Sequence, residues 1–155
     1  MEHTDILMLQ ETKLEENAIL TLSSENWKKN EGLAVSARGD SRGLATLWAE
    51  NSFELHNSFA TQHWLFVELS HPNSKIRFSL FNIYVLTQYK EKRECWNTIV
   101  DFLEIYSPRN IILESDLNIV LKAEEKNGGF FGSDSLRAQI EEIIQQQDLL
   151  YIKPK

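Results

Sequence analysis

A single cysteine, Cys95, stands among the 155 residues. That excludes an internal disulfide and any all-cysteine metal site within one copy of the chain. Proline is scarce at 3 and glycine at 6, so the chain is neither collagen-like nor of low complexity. No apolar run approaches the roughly 20 residues that a membrane-spanning helix needs. The first residues, Met1-Glu2-His3-Thr4-Asp5, carry neither the basic region nor the long apolar stretch of a secretory signal. An intracellular protein, cytoplasmic or nuclear, without membrane association is the expectation.

Positive charge is also short: 16 Lys and Arg face 23 Asp and Glu, a formal net charge of −7. Such acidity disfavours non-specific binding to nucleic acid, but the distribution is uneven. Residues 1–26 hold six acidic side chains and one basic, residues 27–93 nine basic and six acidic, and residues 94–155 eleven acidic and six basic. The middle third is where a polyanion could sit. Its tightest cluster, Lys90, Lys92 and Arg93, reads first as the solvated start of a helix. No P-loop and no G-x-G-x-x-G word occurs, and no small-molecule cofactor is indicated.

What is present fits a soluble globular chain, with 42% hydrophobic and 25% charged residues. At this length a domain buries roughly 70% of its unfolded surface. No internal repeat, charge block or linker breaks the chain, so residues 1–155 are expected to form one domain. Ile6-Leu7-Met8-Leu9 predicts a buried strand closed by the polar Gln10-Glu11-Thr12. Residues 15–28 are weakly helical. Gly32–Arg38 and Gly43–Trp48 form a hairpin pattern around Gly39-Asp40-Ser41-Arg42. Phe53–Phe59 and Trp64–Leu69 repeat it, and His71-Pro72-Asn73-Ser74 reads as a turn. Lys75–Val85 alternates, with a phase shift at 80–81 that predicts a bulge. The period then becomes helical over 89–106, with Trp96, Ile99, Val100, Phe102, Leu103 and Tyr106, and Ser107-Pro108 ends it. Ile111–Leu113 is a second buried strand, and Leu136–Leu150 a final helix. Hairpins followed by strand–helix–strand predict a mixed α/β fold with a largely antiparallel sheet.

Two acidic residues share one local context. Glu11 follows the strand Ile6–Leu9, and Asp116 follows Ile111–Leu113. If those strands lie side by side, both carboxylates reach one rim beyond the strand ends. Two carboxylates with waters are what Mg²⁺ accepts, with a substrate phosphate completing its shell. Acidic residues also commonly open loops, and position alone does not separate the two readings. The remaining singled-out residues read as structural. Trp48, Trp64 and Trp96 sit in apolar patterns, and Cys95 has no histidine or charge pattern around it. His3, His56, His63 and His71 fall on strand faces or turns, and Gly128-Gly129 in a loop. Trp27, between Asn26 and Lys28-Lys29, is the best-placed surface aromatic, although a core role comes first for it too.

Three words, Leu9-Gln10-Glu11-Thr12-Lys13, Phe81-Asn82-Ile83-Tyr84 and Ser115-Asp116-Leu117-Asn118, resemble signature segments of the endonuclease/exonuclease/phosphatase superfamily. Ser41-Arg42-Gly43-Leu44-Ala45-Thr46-Leu47-Trp48, Arg93-Glu94-Cys95-Trp96, and Asn118-Ile119-Val120-Leu121 running into Glu124–Gly129 resemble the endonuclease domain of non-LTR retrotransposons, the plant type especially. The resemblance implies a two-sheet α/β sandwich and Mg²⁺-assisted (or Mn²⁺-assisted) phosphoester hydrolysis, with DNA as the partner. It puts Glu11 at the metal ligand and Tyr84 at the contact to the scissile phosphate. It puts Asp116 at the residue that orients or activates the attacking water, and Asn118 at its partner.

The departures are as informative. The family begins with a further strand and helix that carry a metal-site asparagine, whereas only ten residues precede Glu11. It ends with strands that carry an aspartate and a histidine, and none follows Leu150. Ser115 replaces the usual glycine before the aspartate. An incomplete sandwich is therefore expected, truncated at both ends, with metal bound weakly if at all. Weak activity or none is expected of it, because each general acid or base contributes about 10²–10⁴-fold. The alternative is a non-catalytic remnant or binding module that keeps part of the fold. A phosphomonoesterase or RNA-directed nuclease ranks third.

Overall fold

The computed structural model of the chain describes residues 4–37, 43–85, 88–116, 135–150 and 152. They fall into two compact units, Met1–Val85 with Pro108–Leu117, and Leu86–Ser107 with Asn118–Lys155.

The first unit contains β1 (Ile6–Gln10), α1 (Glu16–Asn26), β2 (Asn30–Val35), β3 (Leu44–Ala49), β4 (Glu54–Ala60), β5 (Trp64–Ser70), β6 (Arg77–Tyr84) and β7 (Ile111–Asp116). The strands make two sheets, ordered β1-β3-β2 and β4-β5-β6-β7. All pairs are antiparallel except β6 with β7. That parallel pair is what the strand–helix–strand pattern requires, because a parallel neighbour needs a long crossover. β3 lies against β5 and β6, and β1 against β6, which makes the unit a two-sheet sandwich.

Alternation along β3 explains its burial. Ala45 and Leu47 pack with Ile19 of α1, with Leu9, Leu20, Trp27 and Ala34 around them. Leu44, Thr46 and Trp48 occupy the opposite face and are equally buried. Trp27 is thus part of a core margin and not a surface platform. β5 is buried at all seven positions, and its one carboxylate, Glu68, meets Arg77 Nη1 at 3.3 Å. Trp64, Phe66 and Phe81 form an aromatic centre with ring centroids 5.0 to 5.9 Å apart.

Two expectations are corrected here. β1 is not a buried strand: its residues are half-buried or exposed, because it is a sheet edge. The shift at 80–81 is not a bulge. β6 keeps an unbroken register with β5 from Arg77 to Ile83, and it is buried on both faces from Ser79 onward, which removes the two-residue alternation. The bulge sits in β4 between Leu55 and Asn57. The 71–74 turn is present, closed by Ser74 N–H to His71 O at 2.9 Å.

α1 has no cap of its own; the N–H of Glu16 donates to Ser36 Oγ at 3.0 Å. Between α1 and β1 lies an open groove of about 380 Å³, lined by Leu7, Leu9, Ile19, Leu22, Trp27 and Leu47 among others.

The second unit contains α2 (Tyr89–Tyr106) and α3 (Ser135–Gln146). α2 buries Cys95, Trp96, Ile99 and Leu103. It ends where Ser107 turns left-handed (φ 47°) and donates its N–H to Leu103 O at 2.9 Å, just before Pro108. α3 buries Leu136, Ile140 and Ile143, and Gln139 Nε2 donates to Asn97 Oδ1 of α2 at 2.9 Å. α3 is shorter than predicted. Asp148 is left-handed (φ 51°), its N–H bonds Gln145 O, and Leu149 N–H bonds Ile144 O. This paired closure satisfies the last carbonyls and stops the helix, leaving Leu150 exposed. The 39–42 turn, Asn118 and Gly128-Gly129 lie outside the described residues. No helix among the described residues is long and apolar enough to cross a membrane.

Candidate functional site

Three of the predicted site residues, Glu11, Tyr84 and Asp116, belong to strand ends of the first unit. β1 stops at Gln10, and the chain leaves it through Glu11 (φ 52°) and Lys13 (φ 57°), both left-handed. Such a conformation is uncommon outside glycine and costs about 1–3 kcal/mol where it is strained. It is held by Thr12 N–H donating to Gly43 O at 3.2 Å. Gly43 is itself at φ +92°, and a Cβ there would overlap Thr12 Oγ1. A side chain at position 43 would therefore displace the segment that presents Glu11. The Glu11 side chain is 45% exposed, and its Oε1 lies 3.5 Å from Lys13 Nζ, a surface pair that contributes little to stability.

Tyr84 ends β6. It is 8% exposed, and its N–H donates to His63 O at 2.9 Å. Asp116 ends β7 in direct parallel register with Tyr84; its side chain, like the whole of Asn118, lies outside the described residues.

β1 and β7 do not lie side by side, so the condition under which both carboxylates would share one sheet's rim is not met. They are edges of different sheets, and their ends meet across the sandwich instead. Gln10 Nε2 donates to Glu114 O at 3.4 Å, one residue before Glu11 and two before Asp116. Asn82, fully buried on β6, donates through Nδ2 to Leu9 O at 3.1 Å and to Ala45 O at 2.9 Å. These bonds bring Glu11, Tyr84 and the backbone of Asp116 to one rim. Glu114, the register partner of Asn82, is exposed, yet the protein around its carboxyl desolvates it enough to raise its pKa above the ordinary value.

Gln10 and Asn82, which lie inside the same family-like words, are the side chains that tie the strand ends together. The available signal was an amide between Phe81 and Ile83 in an otherwise apolar strand, since a buried polar group requires partners. Asn82 Oδ1, Thr12 Oγ1 and Ser115 Oγ are buried without a hydrogen-bond partner among the described residues.

No group of three His, Cys, Asp or Glu that could hold a metal occurs among the described residues. Among the described side chains Glu11 alone of the predicted site residues offers a carboxylate at this rim, and Mg²⁺ takes carboxylate oxygens together with several waters. The predicted basic cluster does not form one surface. Lys92 is buried, while Lys90 pairs with Glu94 at 3.8 Å and Arg93 is exposed.

No family model matches the sequence, and no curated protein matches it. The fold does match solved structures. An endonuclease/exonuclease/phosphatase protein from Bacteroides vulgatus is 13% identical with a TM-score of 0.64, over 94% of this chain and 58% of that one. The endonuclease domain of TRAS1, a telomere-specific non-LTR retrotransposon, is 13% identical with a TM-score of 0.62, over 93% and 58%. The human Nocturnin catalytic domain with bound sulfate is 18% identical with a TM-score of 0.58, over 75% and 52%. The chain thus spans little more than half the length of these structures.

Proposed function

The chain has the α/β sandwich fold of endonuclease/exonuclease/phosphatase proteins, and from that premise we propose that it is part of a Mg²⁺-dependent (or Mn²⁺-dependent) phosphodiesterase domain. Its relatives on this reading are the DNA-nicking endonucleases of retrotransposons. The observation that carries the proposal is the meeting of the β1, β6 and β7 ends at one rim, tied by Gln10 to Glu114 and by Asn82 to Leu9 and Ala45.

Glu11 would hold the divalent ion, which supplies charge stabilisation at a phosphate oxygen when bound. The Tyr84 hydroxyl donates to the scissile phosphate, which fixes its orientation for in-line attack. Asp116 would orient or activate the attacking water, and the resemblance assigns Asn118 as its partner. The same 155 residues turn over slowly or not at all on this reading. The second reading is a binding module that retains the fold without turnover. It is favoured by the pairing of Glu11 with Lys13.

The test is nicking of supercoiled plasmid with Mg²⁺ or Mn²⁺. Metal-dependent nicking that Asp116→Ala abolishes supports the catalytic reading. Retardation of the same plasmid without nicking supports the binding module. Metal-dependent nicking unaffected by Asp116→Ala, Tyr84→Phe and Glu11→Gln would remove the site assignment.

A further inference from the structure

β7 carries two acidic residues, Glu114 and Asp116, two positions apart. Only Asp116 belongs to a family-like word. Residues two apart on a strand lie on one face of the sheet. The parallel register sets Glu114 beside Asn82 and Asp116 beside Tyr84, and register partners share that face. Asn82 marks which face it is, because its Nδ2 reaches Leu9 O and Ala45 O of the first sheet. Glu114 therefore leaves β7 toward the first sheet, on the side that carries Tyr84.

The end of β1 comes to meet it. Gln10 Nε2 donates to the Glu114 carbonyl at 3.4 Å, and Glu11 is the next residue. One glutamine side chain thus spans the gap between the two strand ends. A glutamate side chain has the same length, so a carboxylate from each end can serve one hydrated ion in that gap.

The two charges are balanced differently. Glu11 Oε1 has Lys13 Nζ at 3.5 Å. The Glu114 carboxylate has no ion pair or hydrogen bond among the described residues. Beside it, the fully buried Asn82 keeps an Oδ1 without a hydrogen-bond donor among the described residues. A buried acceptor left so costs free energy, and the water shell of a bound cation supplies donors.

We propose that Glu114 is a ligand of the rim's divalent ion, shared with Glu11. The assignment rests on the reading of this rim as a divalent-ion site, and it adds a carboxylate that the family-like words do not contain. Mg²⁺ is held by one or two carboxylates, with waters and a substrate phosphate around the rest of the ion. Gln10 would fix the separation of the two ligands, and Asn82 Oδ1 would accept from a water of the shell.

Mn²⁺ is the probe, because its unpaired electrons broaden the amide signals of residues near it. The experiment uses the whole chain, without nucleic acid or turnover. Trace Mn²⁺ should broaden the Glu11 and Glu114 amides over one concentration range. In Glu114→Gln, broadening at Glu11 should need about tenfold more Mn²⁺, the scale on which lost partners weaken metal sites. Glu114 is exposed, so its isosteric amide keeps the fold. Glu114→Asp should recover part of the loss. Glu54→Gln, at an exposed position of β4, should change nothing. Broadening at Glu11 that Glu114→Gln leaves unchanged overturns the proposal and leaves the metal reading of Glu11 standing. Broadening confined to other segments overturns both. An effect of Glu54→Gln equal to that of Glu114→Gln reports general charge attraction and also overturns the proposal.

Discussion

Asn82 Nδ2 donates to the carbonyls of Leu9 and Ala45, which are register partners on β1 and β3. One buried amide of the second sheet therefore clasps a paired position of the first. Asn82→Ala should cost about 2–3 kcal/mol, from two lost buried hydrogen bonds and the carbonyls left without them. Asn82→Asp should cost more, because a carboxylate would face two carbonyl oxygens. Urea unfolding midpoints at constant m-value check both.

Gly43 stands against Thr12 at φ +92°. Gly43→Ala should destabilise by about 1–3 kcal/mol. Adding Thr12→Ala should recover the part due to overlap with Oγ1 and leave the part due to backbone conformation. A double-mutant cycle on thermal melting separates the two.

If Glu11 holds a divalent ion, millimolar Mg²⁺ should stabilise the fold slightly, by about 0.5–1 kcal/mol when it exceeds the dissociation constant a few-fold. Glu11→Gln should reduce the shift. Lys13→Ala should enlarge it by removing a cation 3.5 Å from the carboxylate. A melting temperature unchanged up to tens of millimolar Mg²⁺ means that this rim binds no metal.

The pKa of Glu114 is raised from 4.5 by partial burial, so the folded chain keeps that proton to a higher pH than the unfolded chain does. The contribution is present below 4.5 and is lost as pH rises through the folded value. Stability should decline slightly over that window, and Glu114→Gln should flatten the decline. The effect is small because the side chain is exposed and solvent screens it.

Burial holds the Cys95 thiol fully inside and pushes its pKa up to about 12. Thiolate is the reactive form. Native protein should therefore not react with a disulfide reagent at neutral pH, and one equivalent should react once urea unfolds the chain.

The helices and strands were legible wherever one face alone was buried. Trp96, Ile99 and Leu103 mark α2 at helical spacing, and its end at Ser107-Pro108 follows from proline chemistry. Legibility failed where burial was not one-sided. β6 loses its alternation because both faces are covered, and β1 reads as a core strand although it is an edge among the described residues, since apolar composition does not report strand order. Glu11 and Asp116 stood out as carboxylates just past apolar strands, whereas Tyr84 and Asn118 were visible only as family words. Their meeting depends on Gln10 and Asn82 acting across the sheets, with Asn82 bonding Leu9 from 73 positions away, and no local pattern encodes contacts of that range.

The start of α1 carries a kinetic consequence. Its first N–H is satisfied by Ser36, and Ala37 N–H donates to Leu14 O at 2.9 Å. Both partners come after the helix in the chain, beyond β2. An isolated helix of 11 residues is below the roughly 12–15 that persist in water even for favourable sequences. α1 therefore cannot act as an early nucleus. If it consolidates after the β2–β3 hairpin, substitutions on its exposed face should speed unfolding and leave the folding rate almost unchanged, which a chevron plot checks.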